Sequence, residues 1–352
     1  MAWPGVIKAY RSYLDVANVE PVTLLEGDTP LIPTPRLAHA LGLPYCDLRI
    51  KYEGLNPTGS FKDRGMTAAI TQALADGARS VICASTGNTA ASAAAYAARA
   101  GLKCVVLIPQ GKVAAGKLAG AIAYGAQVLS IQGSFDDGLR LVREISMSGQ
   151  IMLVNSINPY RLQGQKSAAF EICDELGTAP DWLCLPVGNA GNITAYWMGF
   201  TQYHTLGKVQ NLPRLLGAQA AGAAPLVLGY PIEKPETIAT AIRIGRPARG
   251  EEALIAAQDS KGRILSVTDD EILAAWKLLA EVEGIWVEPA SAAGVAGLRK
   301  AATQNPHAYS NKSIVCVLTG HGLKDPDIAI SQIAVPTAVD PDLGAVRAEL
   351  GL

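Results

Sequence analysis

The sequence predicts an α/β protein built on two open, mostly parallel twisted sheets flanked by helices. Three observations carry that expectation. Short apolar runs alternate with helix-length stretches along most of the chain, as in repeated β-α units whose parallel strands are covered on both faces. Several of the helical stretches stop at a glycine, the residue that most easily adopts a left-handed C-cap. The chain has 352 residues, beyond the size at which one core usually keeps growing, so two domains are expected.

Residues 1–50 read as an arm leading into the globular body. Thr29-Pro30-Leu31-Ile32-Pro33-Thr34-Pro35 carries too much proline for a central strand or a helix. Residues 48–53 alternate as a short strand. Pro57 and Gly59 then make a turn, and Ser60 is placed to cap a helix over residues 61–73. Residues 80–85 are a strand, followed by a helix over 89–100 that closes at Gly101. A strand at 103–109, a helix at 114–124 closed by Gly125, a strand at 127–132 and a helix at 134–148 continue the alternation. Next come a strand at 150–156, a helix over 161–176, a strand at 181–187 and a helix over 193–204. Residues 214–220 form a strand, the stretch to Gly262 is less regular, and 263–267 form another strand. Thr268 or Asp269 caps a helix reaching Glu283, and Glu288-Pro289-Ala290-Ser291 starts one reaching Ala302. Residues 313–318 are the last strand. One sheet is expected to gather residues 55–149 as a small domain, and the other residues 1–54 with 150–352 as a large one.

The formal net charge is −1 and no long basic run is present, which argues against nucleic acid or an anionic membrane surface as the main partner. No apolar run is long enough to span a bilayer, and the alanine-rich segment 90–100 is interrupted by Ser92, Tyr96 and Arg99. The first eight residues lack the charged and apolar regions of a secretory signal. Six cysteines show no C-x-x-C and no metal-ligand spacing with the four histidines. Cys83, Cys104, Cys184 and Cys316 lie inside apolar runs, as buried thiols of a reducing compartment do, so a cytoplasmic protein is expected.

Ligands of open α/β sheets sit beyond the carboxyl ends of strands, beside helix N-termini. Lys62 falls in the first turn of a helix, where a cation opposes the helix dipole. It is either a solvated surface residue or a lysine held for Schiff-base chemistry with a carbonyl cofactor. Ser85-Thr86-Gly87-Asn88-Thr89 precedes the alanine-rich helix, and its backbone N–H groups could hold a carboxylate. Gly188-Asn189-Ala190-Gly191-Asn192 precedes another helix, with two glycines that let the backbone wrap a phosphate. Asn155-Ser156-Ile157-Asn158-Pro159-Tyr160-Arg161 brings an arginine near a third helix start, and Thr319-Gly320-His321-Gly322 follows the last strand. Each stretch alone has a plainer reading as turn, cap or strand-end chemistry. Neither G-x-G-x-x-G nor G-x-x-x-x-G-K-[ST] is present, which disfavours a nicotinamide cofactor and an ATP P-loop.

Taken together, these stretches resemble the fold-type II family of pyridoxal 5′-phosphate enzymes, related to the tryptophan synthase β chain, and within it the threonine synthases. The resemblance covers nearly the whole chain. Thr58-Gly59-Ser60-Phe61-Lys62-Asp63-Arg64-Gly65 is similar to the family's cofactor-lysine motif, Ser85 to Thr89 to its asparagine loop, and Gly188 to Asn192 to its cofactor-phosphate loop. His321-Gly322-Leu323-Lys324-Asp325-Pro326 is similar to the segment that most sharply marks threonine synthases.

The resemblance implies that Lys62 holds pyridoxal 5′-phosphate as an internal aldimine and later acts as acid and base at Cα. It implies Asn88 at the cofactor's 3′-oxygen, and the amides of Gly188, Asn189, Ala190, Gly191 and Asn192, with Ile193 at the helix start, around its phosphate. Thr319 would face the pyridine nitrogen, where a neutral hydroxyl cannot hold the ring protonated as a carboxylate would. The implied reaction converts O-phospho-L-homoserine and water to L-threonine and phosphate, by γ-elimination and addition of water at Cβ. The substrate carboxylate would rest on Ser85, Thr86 and Thr89. Its phosphate would meet Asn155, Ser156, Arg161 and Asn189, with Lys112 and Lys166 as helpers. A homodimer is also implied. The alternatives are a serine/threonine dehydratase or cysteine synthase of the same fold, or a catalytically silent cofactor-binding protein. The joint presence of Lys62, Asn88 and Thr319 argues against the silent protein.

Overall fold

The computed structural model describes residues 2–110, 115–133, 135–147, 149, 151–331 and 338–352. Lys112 and the expected element ends at Ala114, Ser134, Ser148 and Gln150 lie outside the described residues. Ten strands are described: β1 (Leu31–Pro33), β2 (Asp47–Tyr52), β3 (Ser80–Ala84), β4 (Lys103–Pro109), β5 (Gln127–Ile131), β6 (Ile151–Leu153), β7 (Trp182–Pro186), β8 (Arg214–Ala220), β9 (Arg263–Val267) and β10 (Ser313–Leu318). They form a six-stranded sheet in the order β1-β2-β10-β7-β8-β9 and a four-stranded sheet in the order β5-β4-β3-β6.

Every neighbouring pair is parallel except β1 with β2. That exception follows from the prolines: Pro30 and Pro33 cannot both serve a central ladder, and β1 takes the outer edge. In the central strand β7 every residue is buried, because helices cover both faces. Side chains alternate along it. Trp182 and Cys184 join the core under the Pro289–Gln304 helix, whereas Leu183 and Leu185 pack with Phe170 and Tyr196 on the other face.

β6 departs from expectation. It pairs with β3 in the smaller sheet, Ser80 opposite Ile151, rather than opening the larger one. Just beyond it, the Asn155 amide accepts from Ala84 N at 2.9 Å and donates to Ala84 O at 2.9 Å, extending that pairing past the strand. Apolar alternation identifies a strand but not its partner, which long-range bonds of this kind decide.

The helix expected over 161–176 is two, Pro159–Gln165 and Ser167–Leu176, meeting at Lys166. The lysine helix runs Lys62–Ala75 with Phe61 at its N-cap, and the Ser60 hydroxyl lies 3.4 Å from Lys62 N. Thr268 caps Asp269–Glu283 in a reciprocal box with Glu271. A buried ionic cluster anchors the lysine helix from behind. Arg64 lies between Glu53 and Glu171, and Lys51 meets Glu171 at 2.8 Å. All six cysteines are free thiols, five of them buried. Among the described residues, no helix is long and apolar enough to cross a membrane.

Candidate active site

A cleft of about 440 Å³ opens where the carboxyl ends of β3, β7 and β10 converge with helix N-termini, a size typical of small-molecule sites. Lys62, Ser85, Thr86, Asn88, Thr89, Asn155, Ser156, Arg161, residues 188–192 and Thr319 all line it. Ile193 is fully buried behind the loop, as the interior start of its helix requires. Lys166 is buried at the junction of two helices and does not line the cleft. Burial lowers its amine to about 8.

The turn carrying Lys62 is sewn to the end of β10. Phe61 N donates to Thr319 O at 3.0 Å and His321 N to Gly59 O at 2.9 Å, so Lys62 and Thr319 are held in one local pairing. Gly59 takes φ +84°, and a Cβ there would come within 3.1 Å of the Lys324 side chain. Lys324 Nζ in turn donates to Thr58 O at 3.0 Å. On the other side, Asp63 accepts from Thr58 N, Thr58 Oγ1 and Ser92 Oγ, each at 2.6 Å. This carboxylate therefore ties the lysine turn to the Asn88–Ala100 helix.

Lys62 lies beside the Phe61 ring, its amine 3.6 Å from the centroid. Burial and, secondarily, the Arg161 charge lower its pKa to about 7, against an opposing pull from Glu288. A lysine amine that is substantially unprotonated near neutral pH is a competent nucleophile toward an aldehyde.

Arg161 is 2% exposed, yet Nη1 has only the Val154 carbonyl, at 3.3 Å, and Nε has no partner. No carboxylate pairs with it among the described residues. Burial first, and the Arg249 charge as an added repulsion, lower its pKa to about 10, so it remains a cation. A buried guanidinium that lines a cleft without a paired carboxylate has donors that an anion could satisfy.

The loop 188–192 brings a second set of donors to the cleft. Ala190 takes φ +67° and leaves the Gly191–Thr205 helix without a side-chain cap, so its first N–H groups are available to a ligand. A Cβ on Gly188 would lie 3.0 Å from Ile242 Cα, so a side chain there would crowd the neighbouring backbone. The Asn192 Nδ2 atom is buried and unpartnered. The loop is fixed from outside by Arg249 N, which donates to Asn189 O at 3.2 Å. The uncapped helix, the orphaned amide and a lysine of lowered pKa fit a cofactor that carries both a phosphate and an aldehyde.

The comparisons agree with that chemistry. The pattern of the pyridoxal-phosphate dependent enzyme family matches residues 22–320. A threonine synthase of Mycobacterium leprae is 60% identical over 99% of this chain and 97% of its own length. One from Synechocystis is 58% identical over 99% and 91%, and one from Methanosarcina acetivorans 53% over 98% and 86%. The chain belongs to the threonine synthase family of pyridoxal-phosphate-dependent enzymes. Its cofactor is pyridoxal 5′-phosphate. Maize serine racemase shares the fold, with a TM-score of 0.75, 20% identity and coverage of 94% of this chain and 97% of that one. Serine racemase of Dictyostelium discoideum does so with a TM-score of 0.71, 22% identity and coverage of 90% and 95%.

In this threonine synthase family member the cleft also holds residues that the sequence did not single out for chemistry. Glu288 receives Asn88 Nδ2 at 3.1 and 3.0 Å, and Gln165 Oε1 is buried without a partner. Arg249, which does not itself line the cleft, donates to Ser156 O at 3.1 Å and Ile157 O at 3.0 Å, holding the loop beside Arg161. Glu288 stood in the sequence only as a helix start 200 residues from Asn88, and Arg249 in the least regular stretch. The usable signal was an acidic residue at the N-terminus of a helix whose first half is apolar but for Ser291, which a favourable place beside the helix dipole already explains.

Proposed function

We propose that the protein converts O-phospho-L-homoserine and water to L-threonine and phosphate, and that Arg161 is what selects the phosphorylated substrate. What carries this is a buried guanidinium in the same cleft as Lys62 that no carboxylate pairs with among the described residues. Two anions need two sites: in this reading the helix start at residues 188–193 takes the cofactor phosphate, and Arg161 with Ser156 and Asn189, which also line the cleft, takes the substrate's. Asn155 borders the second site while pinning Ala84.

When bound, pyridoxal phosphate supplies an electron sink for charge developing at the substrate's Cα. Lys62 anchors it covalently and, once free, moves the proton at Cα; a pKa near 7 suits an amine that must both accept and donate. Ser85, Thr86 and Thr89, at the start of the Asn88–Ala100 helix, receive the substrate carboxylate. Asn88 serves the cofactor's 3′-oxygen. Thr319, whose hydroxyl lies 3.0 Å from that of Ser291, offers the ring nitrogen a neutral partner. A serine/threonine dehydratase would have no use for a second buried anion site. The resemblance and the free thiols support a homodimer working in the cytoplasm.

The test is product analysis on the cofactor-loaded protein. O-phospho-L-homoserine should yield L-threonine and inorganic phosphate in equal amounts, much faster than serine or threonine is consumed. Deamination of serine or threonine without turnover of the phosphorylated compound would overturn the assignment.

A further inference from the structure

Behind Asn88 stands a carboxylate for which the proposed reaction has assigned no task. Glu288 is 4% exposed and lines the cleft from the N-cap of the Pro289–Gln304 helix. Its backbone is fixed independently of its side chain, since Glu288 N donates to Gly320 O at 3.1 Å and Ser291 N to Glu288 O at 3.0 Å. Both carboxylate oxygens accept from Asn88 Nδ2, at 3.1 and 3.0 Å. Room for them is kept by a glycine: a Cβ at Gly320 would fall 2.5 Å from Oε1. The charged groups acting on it are Lys62, Asp325 and Lys324. Burial pushes its pKa up, while the Asn88 hydrogen bond and the Lys62 charge pull it down.

An asparagine amide has two faces of opposite polarity, and a carboxylate bonds only the N–H face. Two oxygens sharing one amide nitrogen occupy one N–H and hold the amide against a flip. We propose that Glu288 is a positioning residue that fixes the Asn88 amide, leaving its second N–H as the donor presented to the cofactor. This deepens the proposed site and rests on the reading that Asn88 serves the cofactor. A free amide in the same place could turn its carbonyl toward the cofactor's oxygen and repel it.

Glu288→Gln tests the idea, because a neutral amide there can accept from Asn88 Nδ2 or donate to Asn88 Oδ1 and so permits both orientations. The readouts are the dissociation constant of pyridoxal phosphate, the position of its near-visible band and the thermal unfolding of the cofactor-free protein. Glu288→Gln should weaken cofactor binding by about tenfold and shift the band, a loss the size of one charge-assisted hydrogen bond. Unfolding of the cofactor-free protein should not change. Asn88→Ala should do the same to the cofactor, and the double variant should be no worse than Asn88→Ala alone, since the two act as a unit. Glu288→Asp, which keeps the charge but loses reach, should not restore binding.

Additive losses in the double variant would overturn the proposal, as would full recovery by Glu288→Asp, which would assign the effect to charge near Lys62. A silent Glu288→Gln beside a damaging Asn88→Ala would overturn the positioning role alone. A silent Asn88→Ala would overturn both that role and the reading of Asn88 on which it rests.

Discussion

Lys62→Ala abolishes turnover and the near-visible absorbance of covalently held cofactor, while the loop at residues 188–192 still retains some pyridoxal phosphate. Among the described residues, Lys324 is the only other lysine lining the cleft. Its Nζ donates to Thr58 O at 3.0 Å and steadies the lysine turn. Borohydride reduction followed by peptide mapping should find the cofactor on Lys62 in the parent protein and on no lysine in the variant. The same amine has a second signature. Its pKa lies near 7, lowered mainly by burial from an ordinary value of 10.5. A lowered pKa means the reactive neutral form is gained as pH rises through about 7, not through about 10. Covalent attachment of cofactor to the cofactor-free protein should accelerate over that lower range and level off above it. Attachment that keeps accelerating toward pH 10, or normal turnover by Lys62→Ala, would remove Lys62 from its role.

Arg161→Ala depresses kcat/KM for O-phospho-L-homoserine by about tenfold to a hundredfold. Losing a charge-assisted contact to a phosphate costs on the order of 1.5–3 kcal/mol, and each 1.36 kcal/mol is about a factor of ten. Covalently held cofactor and any slow deamination of serine should persist, because neither needs the second anion site, with their pH dependence moved upward by loss of the Arg161 charge beside Lys62. The stability effect should run the other way from that of most buried substitutions. An unpaired buried cation is costly to the fold, so Arg161→Met, which keeps most of the packing, should unfold at the same temperature or higher without ligand. Equal losses toward phosphorylated and unphosphorylated substrates, with a lower unfolding temperature, would make Arg161 a folding residue.

The alternation of strands and helices was legible because strands covered on both faces read as apolar runs, as in β7 and β10. The convergence of four distant stretches was legible for a related reason. Each sits where a strand's carboxyl end meets a helix start, and a parallel sheet brings such places together. Sheet membership was not legible for β6, since its three residues fit either sheet and the partner is chosen by Asn155 reaching Ala84. The pairing of Glu288 with Asn88 was hidden for the same kind of reason, being a contact across 200 positions between a residue read as a cap and one read as a ligand group. Lys166 had the right charge and neighbourhood in the sequence, yet the break between two helices turns it away from the cleft. The cap of the lysine helix was misplaced by one residue, because pairing with Thr319 and His321 holds the turn in place of a strong serine cap.

The central claim is that this cleft breaks the carbon–oxygen bond to phosphate and then adds water to carbon. Turnover of O-phospho-L-homoserine in ¹⁸O-enriched water tests it directly. Elimination followed by addition places the solvent oxygen in the hydroxyl of L-threonine and leaves the released phosphate unlabelled. Label in the phosphate, with homoserine as the other product, would mean that water attacks phosphorus, and would contradict the account.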